Sequence, residues 1–160
     1  MLGEILNGWQ VSPIITLHSG FPFTVLNGKD ANLDGVTNDR AEVLPGVSLT
    51  PAGGSSATEW FNTAAFAQNP VKTGVAIDGN SPRNFLTGPG YRDVDVAIFR
   101  NFNFMERFNL QARLESTNAF NMVSLNNPSG NGATVGSTTF GQITSAAPMR
   151  QLQIGLRLGF

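Results

Sequence analysis

No cysteine occurs among the 160 residues, and His18 is the only histidine. Without cysteine the chain has no disulfide framework, no thiolate nucleophile and no cysteine-based zinc site. One histidine forms no histidine metal cluster, and His18 lacks the Ser and Asp context of a hydrolytic triad, so no enzyme is expected. Charge is scarce as well: 13% of residues are charged, and ten basic side chains against eleven acidic ones leave a formal net charge of −1. Such a chain has no basic surface to track a phosphate backbone, which excludes nucleic acid as an expected partner. With 41% hydrophobic residues it is also too apolar for a disordered solvating segment. Long apolar runs are missing, since stretches such as Val96-Ala97-Ile98-Phe99 fall far short of the roughly 18 residues of a spanning helix. Met1 to Gly8 carries neither a basic region nor an extended apolar one, so no secretory signal is expected there. On that reading the protein stays in the cytoplasm or its true beginning lies upstream.

What is present is alternation. Four segments change character every second residue, the mark of strands with two different faces. In Trp9 to His18, Trp9, Val11, Pro13, Ile15 and Leu17 oppose Gln10, Ser12, Ile14, Thr16 and His18. In Tyr91 to Phe104, Val94, Val96, Ile98, Phe102 and Phe104 oppose Asp93, Asp95, Ala97, Asn101 and Asn103. Phe108 to Thr117 sets Phe108, Leu110, Ala112 and Leu114 against Asn109, Gln111, Arg113, Glu115 and Thr117. From Gln151 to the end, Leu152, Ile154, Leu156, Leu158 and Phe160 face one way and Gln151, Gln153, Gly155, Arg157 and Gly159 the other.

The links between these segments alternate in length. Met105, Glu106 and Arg107 alone join the second to the third, a tight hairpin. Long polar segments rich in Gly, Pro, Asn, Ser and Thr join the first to the second and the third to the fourth. Compact soluble domains seldom carry structureless loops of that size. Outer-membrane barrels do, pairing short periplasmic turns with long extracellular loops and strands that are apolar outward and polar inward. The expected fold is therefore all-β, an antiparallel piece of a transmembrane barrel. Asp93, Asp95, Arg113, Glu115 and Arg157 would line its watery side. Arg100 breaks the pattern by falling on the apolar face, where it would snorkel to headgroups or be turned inward by a bulge. In the first long loop, Thr58 to Phe66 has an N-cap-capable Thr and helical spacing, which predicts a short lid helix.

Among residues that could carry chemistry, Asp30 to Asp39 has the sharpest pattern. Asp30, Asn32 and Asp34 place oxygens at alternate positions before Gly35, as in the first half of a calcium loop. Position twelve is Ala41 where a bidentate Glu is wanted, with Glu42 one residue late. Two readings stand side by side: a structural Ca2+ site at Asp30, Asn32, Asp34 and Asp39, or an Asx-rich turn whose side chains bond their own backbone. The carboxylates on the strands read as a charge ladder rather than as an acid/base pair. Gly79-Asn80-Ser81-Pro82-Arg83-Asn84 and Gly88-Pro89-Gly90 read as structured turns, because a phosphate cradle would need a strand-to-helix context and a Lys.

Taken in order, Ser19-Gly20-Phe21-Pro22-Phe23-Thr24, Asp34-Gly35 with Asn38-Asp39-Arg40, Trp60-Phe61-Asn62 with Ala65-Phe66, Gly79-Asn80-Ser81 with Arg83-Asn84, Gly88-Pro89-Gly90, Asp95 to Phe102, Arg113 to Asn121 and Arg150 to Ile154 resemble the C-terminal barrel of Oar-like TonB-dependent transporters. The resemblance covers nearly everything from Gly8 onward. It implies a parent with an N-terminal carboxypeptidase-regulatory-like domain, a plug carrying the TonB box, and a barrel of about 22 strands. Residues 1–160 would then be a C-terminal fragment of the barrel domain, with Met1 internal to a periplasmic turn, in the outer membrane of a Gram-negative bacterium. Implied partners are the rest of the barrel and the plug, TonB through the missing part, the lipid bilayer, and the barrel-assembly machinery, which would read the terminal Phe160. The expected role is barrel wall plus ligand mouth for import of a large or scarce solute, with Trp60, Phe61, Phe66 and Arg83 gripping it. Two alternatives stand: a self-assembling membrane module in which several copies each donate four strands, and a soluble calcium-dependent carbohydrate-binding β-sandwich. Period-two alternation is the same in all three.

Overall fold

The computed structural model of the protein describes residues 7–69, 78–104 and 107–160. Met1–Leu6 and the hairpin residues Met105 and Glu106 lie outside the described residues. The strands in chain order are β1 (Trp9–His18), β2 (Pro22–Phe23), β3 (Glu42–Val43), β4 (Phe66–Ala67), β5 (Leu86–Thr87), β6 (Tyr91–Phe104), β7 (Phe108–Thr117) and β8 (Gln151–Gly159). The four alternating segments are the four long strands, with the expected bounds except that β8 stops one residue before Phe160. The chain divides into two compact units.

The first unit holds Met1–His18, Tyr91–Ser124 and Ala147–Phe160. Its long strands form one antiparallel sheet in the order β1-β6-β7-β8. Register is continuous along every pair, so the apolar residues of neighbouring strands share one face. On one face Val11 pairs Ile98, Ile98 pairs Leu114, and Leu114 pairs Ile154. The next rows are Trp9–Arg100–Ala112–Leu156 and Phe102–Leu110–Leu158. A one-residue slip would turn all of these to the opposite face, which is what pins the register. Leu152, Ile154, Leu156 and Leu158 are exposed, Ile154 at 78%. A sandwich would bury this face; here it is bare. From Phe102 to Arg92 the face runs about 33 Å along the strand at 3.3 Å per residue. A tilt of about 40° brings that to about 25 Å, the height of the apolar band of an outer-membrane barrel.

Arg100 stays on the apolar face, because the β1–β6 register passes through Trp9↔Arg100 with no bulge. The inward flip allowed by the sequence therefore does not occur. Its guanidinium carbon lies 5.0 Å from the centre of the Trp9 ring and 4.5 Å from that of Phe102. Two π-faces cover a charge that hydrocarbon would not tolerate bare.

The second unit holds Ser19–Gly90 and Leu125–Ala146. It consists of the two long connections, and it is not the pair of structureless loops that the composition suggests. Phe23, Val25, Ala41, Phe61, Ala65, Phe66 and Ala133 form a buried core, edged by Val43, Leu49, Trp60, Leu86, Val135 and Phe140. Phe61 is its centre, with ring centroids 5.9 Å from Phe23, 5.4 Å from Phe66 and 5.2 Å from Phe140. Two short sheets, β2 with β5 and β3 with β4, frame it. Leu26 ties the connections together by bridging both Arg40 and Thr134. The Gln68 amide donates to Asn27 O and Val135 O, and the Asn127 amide donates to Phe21 O.

The expected helix at Thr58 to Phe66 shrinks to a single 3-10 turn at Thr63–Ala65, capped by Asn62 rather than Thr58. The amides of Trp60 and Asn62 bond Gly141 O and Leu49 O instead of a helical carbonyl. Tertiary partners have taken the donors that a longer helix would need.

Candidate functional site

The polar face of the sheet is a ladder of paired side chains. The Gln111 amide donates to Asn101 Oδ1 at 3.0 Å, and the Asn109 amide donates to Asn103 Oδ1. Arg113 binds Glu115 at 2.7 Å and lies over the Phe99 ring at 4.9 Å. Asp95 accepts the Asn118 amide and Asp93 the Tyr91 hydroxyl, while His18 stacks on Tyr91 at 5.0 Å. Carboxylates therefore occupy the end of the sheet near His18 and Tyr91, and Arg113 and Arg157 the half nearer the β6–β7 hairpin. Each charge is solvated or hydrogen-bonded, as on a wall facing water.

In the second unit the residues Asp30 to Asp39 turn on their own backbone. Asp30 accepts from the amides of Asp34 and Gly35, Asn32 Oδ1 from Asp34, and Asp34 Oδ1 from Val36. Asp39 Oδ2 accepts from Ala31 at 2.6 Å and Asn32 at 3.1 Å. Asn32 and Asp34 make Asx turns, and the loop's own N–H groups take up at least one oxygen of each of Asp30, Asn32, Asp34 and Asp39. Among the described residues no cluster of three or more His, Cys, Asp or Glu is arranged to hold a metal.

Of the four residues expected to grip a solute, two do something else. Phe61 and Phe66 are 2% and 6% exposed. They are the core of the unit; the helical spacing of Thr58 to Phe66 misplaces its aromatics, because only Thr63–Ala65 turns. Trp60 is half-buried, its indole N–H donating to Thr87 O at 2.9 Å. Arg83 alone is fully on the surface, without a partner among the described residues.

Arg83 lines a polar cleft of about 380 Å3 that sequence reasoning does not anticipate. Thr24, Asn38 and Asp39 share its lining, together with the ion pair Arg40–Asp78. Arg40 Nη2 meets Asp78 Oδ2 at 2.6 Å, its Nε the same oxygen at 2.8 Å, and its Nη1 the Ser81 carbonyl at 2.8 Å. Burial pushes the Asp78 carboxyl up, but the hydrogen bonds and charge of Arg40 outweigh it and hold the group below its ordinary value of 3.8. Asp78 has no local signal, since its partner lies 38 residues away.

Gly20 and Gly79 sit where backbones touch. A Cβ on Gly79 would meet the carbonyl oxygens of Arg40 and Ala41 at 2.2 Å. The Gly79-Asn80-Ser81 turn is thus a contact point of the second unit.

No curated protein and no solved structure matches the chain. The model of one family, described as outer membrane beta barrel domain, matches residues 1–153. A sheet with one bare apolar face and one hydrogen-bonded polar face is what such a wall requires, and the chain belongs to the outer membrane beta barrel domain family.

Proposed function

We propose that the chain supplies wall strands and extracellular loops to an outer-membrane TonB-dependent transporter of a Gram-negative bacterium, one that imports a large or scarce solute. The observation that carries the reading is the sheet itself. It has a lipid-ready face, a water-ready face, and an unpaired edge on β1 and on β8 among the described residues. Four strands fall short of the roughly eight in the smallest single-chain barrels, and each open backbone group in lipid costs several kcal/mol. The sheet therefore completes its wall with strands from elsewhere. Its polar rows face a plug, the plug engages TonB, and the loops handle the solute without catalysing a reaction on it.

The test is a photo-crosslinking side chain at Gln111, on the polar face of a central strand, with the protein in cells. The expected product joins Gln111 to a plug segment. Adducts only to a second copy of this chain would replace the transporter by a self-assembled module. No membrane-embedded product at all would overturn both.

A further inference from the structure

We infer that the cleft between Asp39 and Arg83 binds a neutral saccharide. This deepens the reading above by naming a solute class, and rests on it only for the site's place in uptake.

The cleft draws its lining from widely separated stretches of sequence, and its floor is rigid. Asp39 is 4% exposed, and its Oδ2 is clamped by two amides. Arg40 is held at three nitrogens by Asp78 and Ser81. Neither group can swing away to suit a ligand or to fill the space. Around this floor three groups keep unused hydrogen-bonding capacity. Asp39 Oδ1 accepts from no donor among the described residues, and the side chains of Asn38 and Arg83 have no partner there.

The chemistry of these groups selects the ligand. Ligand clefts of 300 to about 1,000 Å3 are usually lined by apolar and aromatic side chains. In this one the lining is nearly all polar, with Leu26 as its apolar exception. An anion drawn to Arg83 would meet the carboxylates of Asp34 and Asp39, and a cation drawn to those would meet Arg83. A hydroxyl both donates and accepts, so it satisfies an acceptor and a donor placed side by side. Vicinal hydroxyls on a rigid ring present several such groups with little conformational entropy to lose. The space equals about a dozen waters at roughly 30 Å3 each, enough for one or two sugar rings.

The experiment is saturation-transfer NMR on the full chain in detergent micelles, with glucose, galactose, mannose and myo-inositol as probes. At least one binds with millimolar affinity. Arg83→Ala and Asn38→Ala, both at exposed positions, each weaken it by about tenfold or more, with Trp60 fluorescence unchanged as the check on folding. Binding survives EDTA. The inference is overturned if no probe saturates, if both variants bind as well as the parent chain, if EDTA abolishes binding, or if inorganic phosphate takes the cleft and the sugars do not. The Gln111 crosslink in cells reports the barrel separately. A plug adduct without sugar binding sinks the cleft alone, and sugar binding without any membrane-embedded product sinks the membrane reading alone.

Discussion

Gly20 and Gly88 approach so closely that a Cβ on Gly20 would stand 1.7 Å from the Gly88 carbonyl oxygen. The obstacle is backbone, which cannot rotate aside as a side-chain tip can. Gly88 N–H also donates to Phe21 O at 3.0 Å, so the contact is part of the pairing that sets β2 against β5. Gly20→Ala is expected to destabilise the second unit by about 1–3 kcal/mol, the usual cost of overpacking. Each unit holds one of the two tryptophans, Trp9 and Trp60. Urea unfolding followed by Trp60 fluorescence in a Trp9→Phe background measures the effect. An unchanged midpoint would show that the contact is loose.

Phe61→Ala removes the ring that three other phenylalanines share. Loss of a buried Phe costs about 3–5 kcal/mol, enough to melt a unit with so small a core. Limited proteolysis is expected to open cleavage sites within residues 19–69, while the long strands stay protected in membranes. Equal protection of Phe61→Ala and the parent chain would mean that the core of the second unit lies elsewhere.

Much of the sheet is legible because alternation is a property of neighbouring residues. Trp9 to His18 and Gln151 to Gly159 carry their faces in the order of their side chains, and no distant partner is needed to read them. Phe99 is the instructive exception. It lies on the polar face, where Arg113 covers its ring, and only the cross-strand register reveals that partner. The second unit is opaque for the same reason throughout. Phe61 and Phe66 look like exposed loop aromatics until Phe23 and Phe140, far away in sequence, are brought against them. Arg40 and Asp78 likewise become a pair only in space. The Asp30 to Asp39 pattern is visible in sequence, but spacing alone does not say whether its oxygens meet amides or a cation.

Ile154→Lys places a charge in the middle of the apolar face, in the Val11–Ile98–Leu114–Ile154 row. In a bilayer this costs about 2–4 kcal/mol near the midplane. Gln153→Lys puts the same charge on the polar face and costs little. Membrane fractionation of the two variants is expected to show reduced insertion for the first alone. The reverse ranking would exchange the two faces.

Asp78→Asn tests the clamp beneath the cleft by its pH dependence. Because the folded carboxyl is held below its ordinary value of 3.8, its contribution is present at pH above that value. It disappears as pH falls through the lowered folded value. Both partners are partly solvent-exposed, so the contribution is at most about 1 kcal/mol. The urea midpoint of the parent chain should exceed that of Asp78→Asn near neutral pH, and the two should converge in acid. A gap that widens in acid would contradict the clamp.

Leu26 bridging Arg40 and Thr134, with Gln68 spanning Asn27 and Val135, has a consequence for how such proteins diversify. Neither long insert can be exchanged for that of a relative without orphaning hydrogen bonds and apolar contacts in the other. The heritable module is thus the matched couple, and chimeras that transplant residues 19–90 and 125–146 together should fold where single transplants fail.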